Sequence, residues 1–238
     1  MDIRLFFILQ LIAHLLTDFV FQNNRLATDK NTKGFKSSFL IWHGLIAILL
    51  SWLLSFQLNF IIGSLLIGVS HYIIDGCKPI LNNHKSLGRY AFYIDQFLHI
   101  ILFIAVSLTF FSLTDINPVI NVIAAKQYIV LTAGFLFILK PTNIFIKEML
   151  STFEIESTPQ SQELEKAGRL IGILERILVV IFVLIGQFGA IGFLIAAKSI
   201  LRYKDTDLLK TEDVLMGTML SFGIAVLVGL LIQFILTL

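Results

Sequence analysis

The sequence predicts an all-α, polytopic integral membrane protein whose first four spans form a bundle around a His/Asp cluster. Three observations predict this. Of 238 residues, 57% are hydrophobic and only 14% charged, where a soluble domain has about a quarter of its residues charged. Apolar runs of about 18 residues or more recur along the chain, the length that crosses a bilayer. Finally, histidines and aspartates sit four residues apart at the ends of those runs.

Seven spans are expected, at about residues 5–22, 38–56, 60–75, 90–111, 119–139, 173–197 and 214–236. The first ends in "AHLLTDFVFQ" and the second opens on "IWHGL"; the third ends in "HYIIDGCK" and the fourth opens on "YIDQFLHI". Pro79, Pro118, Pro141 and Pro159 all fall between spans, where a helix stops in any case. The sixth span is long and carries Glu175 and Arg176 near its start, each expected to pair with another element; Gln187 and Lys198 are the candidate partners. Its segment "GQFGAIGFLIAAKS" reads as a small-residue packing face built on Gly186, Gly189 and Gly192. Residues 145–153, "FIKEMLSTF", suit a short amphipathic surface helix. A polar connector near 150–167, within "STFEIESTPQSQELEKAG", reads as a solvated loop or short surface helix. The domains expected are therefore a four-span part, 1–113, and a three-span part, 114–238.

Net charge is only +2, which leaves no nucleic-acid footprint. The single cysteine, Cys77, excludes an intrachain disulfide. The first apolar run is followed by "TDFVFQNN" rather than a small-residue cleavage site, so no cleavable signal peptide is expected. The loop after span one holds Arg25, Lys30, Lys33 and Lys36, and the loop after span three holds Lys78, Lys85 and Arg89. The positive-inside rule makes both cytoplasmic. One segment disagrees: "KSILRYK" after span six is also basic, yet seven crossings place it outside.

The candidate centre consists of His14 and Asp18, His43, His71 and Asp75, and Asp95 and His99. Residues four apart share one helix face, so an imidazole and a carboxylate on one helix can reach the same cation. Spans one and three run towards the cytoplasm and carry their pairs late; spans two and four leave it and carry theirs early. All seven groups thus lie at one depth, with His43 expected at the edge of the cluster. Such a donor set suits a divalent transition metal, zinc first and manganese or iron as well. Seven groups exceed one tetrahedral site, so either two ions bind or some groups orient ligands or act as bases. A lone intramembrane His or Asp is often interhelical hydrogen-bond glue; three pairs and His43 at one depth favour metal.

"HLLTDFVFQ", "HYIIDGCK" and "DQFLHI" resemble an uncharacterised bacterial membrane family, domain of unknown function 3307. "GRLIGILER", "GQFGAIGFLIAAKSILRY" and "LMGTMLS" are similar to its C-terminal pattern. The His/Asp pattern also resembles bacterial inner-membrane proteins described as metal-dependent hydrolases, which implies metal-site roles for His14, Asp18, His71, Asp75, Asp95 and His99. The expected function is a metal-dependent hydrolase of the bacterial inner membrane. Its substrate would be a lipid or lipid-linked phosphate or ester, with Asp75 or Asp95 as general base. Lys78, Lys85 and Arg89 would hold an anionic headgroup. The rivals are a membrane scaffold with a structural metal and an ion or small-molecule transporter.

Overall fold

The computed structural model describes residues 1–153, 162–202 and 208–237, and the described residues are helices and connecting turns. The chain divides into two compact units, Met1–Ala133 and Gly134–Leu238.

In the first unit, α1 (Ile3–Leu15) starts at Asp2, whose side chain accepts a hydrogen bond from Arg4 N. It runs into a π-helical turn, Leu16–Val20, closed by a bond from Phe21 N to Leu16 O (2.8 Å). A short polar helix follows, α2 (Asn24–Lys33), N-capped by Asn23 and ended by Gly34 at φ 53°. Three long helices complete the unit: α3 (Ser38–Ser55), α4 (Ile61–Asn82) and α5 (Ala91–Leu113). Here the expected third span is corrected. The helix does not stop before Pro79 but continues through it to Asn82. Pro79 has no N–H to give to the carbonyl of Asp75, four residues earlier, and so leaves a gap in the ladder close to the helix end.

The packing faces are small and polar. The buried residues of α3 are Leu40, His43, Gly44, Ala47, Ser51 and Ser55; those of α4 are Gly63, Ser64, Gly68, His71, Asp75 and Gly76; those of α5 include Asp95, His99, Phe103 and Ser107. The opposite faces are aliphatic: Ile41, Leu45, Leu49 and Leu53 on α3, and Ile62, Leu66, Val69 and Ile73 on α4, are all exposed. The helices α3 and α4 approach closely where a Cβ on Gly68 would lie 3.0 Å from Gly44 O. At the other end of the unit, Phe6, Phe60 and Phe110 form a buried aromatic cluster with ring centroids 4.8–5.9 Å apart. The segment after α5 belongs to this unit, since Val119 N donates to Phe56 O, Asn117 N donates to Gln57 Oε1, and Val122 packs on Leu5 and Leu9.

One contact between α2 and α4 has no counterpart in local sequence pattern. A Cβ on Gly34 would meet Gly76 O at 2.5 Å, and one on Gly76 would meet the Phe35 ring at 2.1 Å. The two glycines let the C-terminal end of α2 lie directly on α4 beside Asp75. Asn82 Nδ2 donates to Asn31 O nearby (3.3 Å). At the outer surface, Lys33 and the Ser37 hydroxyl hold the Asp29 carboxyl below its ordinary range.

The helix α6 (Lys126–Ile138) crosses the boundary between units; the second unit continues with α7 (Lys140–Thr152), α8 (Gln162–Leu184), α9 (Phe188–Arg202) and α10 (Leu208–Thr237). Residues 145–153 thus fall in or just after a helix, and the two ends of the polar connector become the end of α7 and the start of α8. Its middle, 154–161, lies outside the described residues. The helices α8 and α10 pack on each other with Gly229 under Val183, and Val228 and Ile232 of α10 lie against Gly134 of α6; Val179, Val180 and Ala225 are buried as well.

The expected sixth span is not one helix. The chain turns at Gly186, φ 72°, a conformation that favours glycine, and α9 folds back along α8 until Lys198 Nζ bonds Glu175 Oε2. Glu175 does pair with Lys198, whereas Gln187 bonds through its backbone, giving its N–H to Phe182 O and accepting from Ala190 N. The packing-face reading of the glycines is also corrected: among the described residues, a Cβ on Gly186, Gly189 or Gly192 would meet nothing within 4 Å. Among the described residues, six segments are long and apolar enough to cross a membrane: Ile3–Val20, Ser38–Ser55, Leu58–Asn82, Gly88–Leu113, Ile123–Thr152 and Leu215–Thr237.

The junction of α6 and α7 is built around Arg176. Pro141 cannot continue the α6 ladder, and Leu139 turns the chain at φ −77°, ψ −115°. The carbonyls left over find other donors. Thr142 Oγ1 donates to Phe137 O (2.7 Å), Arg176 Nε to Ile138 O (2.6 Å), and the guanidinium also reaches Asn143 Oδ1 (2.7 Å) and Ser221 Oγ (3.0 Å). Arg176 is 2% exposed.

Candidate metal centre

The seven predicted groups come together in the first unit, on the buried seams of α1, α3, α4 and α5, each at most 8% exposed. Four donor atoms converge most closely. Asp18 Oδ1 lies 2.8 Å from His71 Nε2 and 3.3 Å from His43 Nε2. The two ring nitrogens are 3.1 Å apart. Asp75 Oδ2 lies 3.2 Å from His43 Nε2 and 3.8 Å from His71 Nε2. Ligands about 2.0–2.1 Å from a shared tetrahedral ion would be separated by about 3.3 Å; His43, His71 and Asp75 each offer a donor atom within 4.8 Å of the others, and so do His14, Asp18 and His71, so two overlapping three-donor groups have the spacing to hold a small cation. Two imidazole nitrogens facing each other at 3.1 Å require a proton or a cation between them, because bare lone pairs repel.

The π-turn explains how Asp18 reaches this point. In a regular helix the i,i+4 relation would stack Asp18 on His14; the wider turn at Leu16–Val20 sets the two 4.0 Å apart and carries Asp18 to His71. His14 instead bonds Gln96 Oε1 (3.2 Å). His43, expected at the edge, sits in the middle: it is fully buried and within 3.3 Å of Asp18, His71 and Asp75. The reason is that Gly44, next to it, lets α3 approach α4 at that level.

A second constellation adjoins the first. His99 stacks on His71 with ring centroids 3.9 Å apart, and its Nε2 lies 3.8 Å from both Asp75 Oδ1 and Asp95 Oδ1. Those three atoms are buried and have no hydrogen-bond partner. A small cavity borders the centre on the bundle side, lined by Gln10, His14, Thr17, Ser51, His71 and His99 among others.

Two lysines enter the cluster. Lys30, 2% exposed, reaches in from α2 and donates to Asp75 Oδ2 (2.8 Å) and His43 Nε2 (3.1 Å). Sequence reasoning treated Lys30 only as a loop charge; the signal that could have found it is Gly34, whose φ above zero ends α2 where it meets Gly76. Lys78 was expected to face a headgroup but turns inward onto Asp95 Oδ2 (2.7 Å). Lys85 and Arg89 stay outside the cluster, on the exposed turn after α4, where Arg89 lies over the Tyr90 ring. Gln96 was also missed: its amide nitrogen donates to Asp18 Oδ2 (3.1 Å) and Asp95 Oδ2 (3.2 Å), bridging the two constellations.

Comparison with curated proteins and with solved structures gives no match. A family model described as "Protein of unknown function (DUF3307)" matches residues 6–128. The C-terminal motifs lie outside that match. The matched segment holds every residue of the centre and spans more than half of the 238 residues, and the chain belongs to the DUF3307 family.

Proposed function

We propose that the chain is a multi-pass protein of the bacterial cytoplasmic membrane and a divalent-metal hydrolase acting on a phosphoester at headgroup depth, with zinc, manganese or iron as the ion. Convergence of Asp18, His43, His71 and Asp75 donors inside a bundle with an aliphatic exterior carries the reading. That exterior would aggregate in water and suits lipid.

A divalent cation in this donor set supplies a Lewis acid and a water of lowered pKa. The chain's own residues do the rest. Lys30 occupies the lone pair of His43 that a cation needs, so loading moves its ammonium off His43 while leaving it beside the centre. Lys30 and Lys78 are then placed to hold an anionic phosphoryl oxygen, which favours a phosphoester over a neutral acyl ester. With a single ion, the attacking water forms the new P–O bond, its proton passes to the unpartnered Asp95 Oδ1, and the ester P–O bond breaks. The leaving alkoxide takes up that proton. Lys85 and Arg89 remain candidates for headgroup contact.

The test is to measure metal content and hydrolysis of bis(p-nitrophenyl) phosphate by detergent-purified protein. Stoichiometric metal and turnover, both lost in His71→Ala, are expected. Wild-type protein that is folded and metal-free sinks the reading in favour of a salt-bridged scaffold, and metal without turnover makes the site structural. A transporter is disfavoured by the Phe6, Phe60 and Phe110 cluster, which fills the other end of the bundle.

Sidedness decides which substrates can reach the centre. The return of α9 along α8 removes one crossing, which reconciles basic "KSILRYK" with the cytoplasmic loops. Single cysteines at the exposed positions Thr32, Asn83 and Ser199, in a Cys77→Ser background, should resist a membrane-impermeant thiol reagent applied to intact cells. Strong labelling at these positions would reverse the orientation and make envelope precursors the better substrates.

A further inference from the structure

We infer that the centre holds two divalent cations bridged by Asp75, the second taken by Asp75 Oδ1, Asp95 Oδ1 and His99 Nε2; the inference rests on the metal reading above. The observation is independent of the four-donor convergence. His99 Nε2 on α5 lies 3.8 Å from both Asp95 Oδ1 and Asp75 Oδ1 of α4, and none of these three buried atoms has a hydrogen-bond partner. Their residues are 4%, 1% and 0% exposed. Buried polar groups are nearly always satisfied, so each orphan calls for an occupant. Two carboxylate oxygens and an imidazole nitrogen form a donor set for a cation and offer little to an anion.

The two carboxylate oxygens of Asp75 divide cleanly. Oδ2 faces His43 and His71, while Oδ1 faces His99. One carboxylate facing two donor sets in this way is what holds paired ions about 3.5–4 Å apart in two-metal hydrolases. Asp18 also lies within reach, since it, Asp95 and His99 each offer a donor atom within 4.8 Å of the others. Gln96 ties Asp18 Oδ2 to Asp95 Oδ2 and so fixes the second carboxylate relative to the first set.

Charge bears on the ligand that two ions would draw. Asp18, Asp75 and Asp95 bring three negative charges into the cluster and Lys30 and Lys78 two positive ones. One divalent cation leaves a surplus of a single positive charge; two leave a surplus of three. Such a surplus calls for a polyanionic ligand, which a phosphate monoester supplies and a carboxylic ester does not. With both ions bound, Asp95 would serve as a ligand rather than as the base, and the ions would supply the lowered pKa of a bound water.

The experiment uses full-length protein in detergent, stripped of metal and reloaded with Mn²⁺ alone. Wild type should bind two ions per chain and show an exchange-coupled Mn²⁺ electron paramagnetic resonance signal at low temperature. His99→Ala and Asp95→Asn should each bind one ion and show the six-line spectrum of an isolated Mn²⁺. Wild type with one ion per chain overturns the second site and leaves the first standing, as does a His99→Asn variant that keeps two. Folded wild type with no ion overturns the metal reading itself.

Discussion

Asp75→Ala is expected to strip the protein of bound metal and to destabilise it by about 3–5 kcal/mol, the range for breaking a buried ion pair from one side. Asp75 is fully buried and its Oδ2 accepts from Lys30 at 2.8 Å. Alanine leaves that ammonium in the bundle with only His43 beside it, and removes a donor from each constellation. The two effects can be separated. A Lys30→Met/Asp75→Ala double variant should regain most of the stability, since both charges are gone, but no metal. Urea unfolding in detergent read beside elemental analysis checks both halves. Metal retained by the single variant would refute the assignment of Asp75, and wild-type stability would refute the buried-pair argument.

Arg176→Ala should cost a comparable amount, about 3–5 kcal/mol, within the second unit. The guanidinium supplies the donors that Pro141 and the turn at Leu139 deny to the end of α6; without it the carbonyls of Ile138 and Leu139 and the Asn143 side chain lose their partner. Arg176→Lys keeps the charge but has no planar fork to reach α6, α7 and Ser221 on α10 together. It should recover less than half of the loss. Thermal unfolding of the two variants decides the matter, and an alanine variant within 1 kcal/mol of wild type on the scale of an ordinary hydrogen bond would show that water replaces the arginine.

Much of the centre was legible because its chemistry is local. Residues four apart on a helix share a face whatever the rest of the fold does, so the pairs in α4 and α5 could be read directly, and the alternation of span direction set a shared depth. What escaped depends on contacts distant in sequence or on breaks in regular geometry. Lys30 reaches the cluster only because Gly34 meets Gly76, 42 positions along the chain. Asp18 turns to His71 through a π-turn, which has no composition of its own in "LTDFV". His43 is central because α3 and α4 touch at Gly44 and Gly68. The sixth span misled because Gly186, read as a packing residue, instead supplies a left-handed turn. Hydropathy alone cannot distinguish a helix that crosses from one that turns back.

The lysine arm of α2 also has a kinetic consequence. The donor atoms are almost wholly enclosed, and Lys30 lies across the His43–Asp75 edge, pinned by the seating of Gly34 on Gly76. On the metal reading, an ion bound between His43 and Asp75 would leave on that side only when α2 lifts. The helices beneath need not unfold for this, because the opening is local and α2 is short and polar. Exchange with solution is then first order, set by how often the arm opens and independent of how much chelator is waiting. The seated arm would then set how long an ion stays, apart from how tightly its ligands hold it.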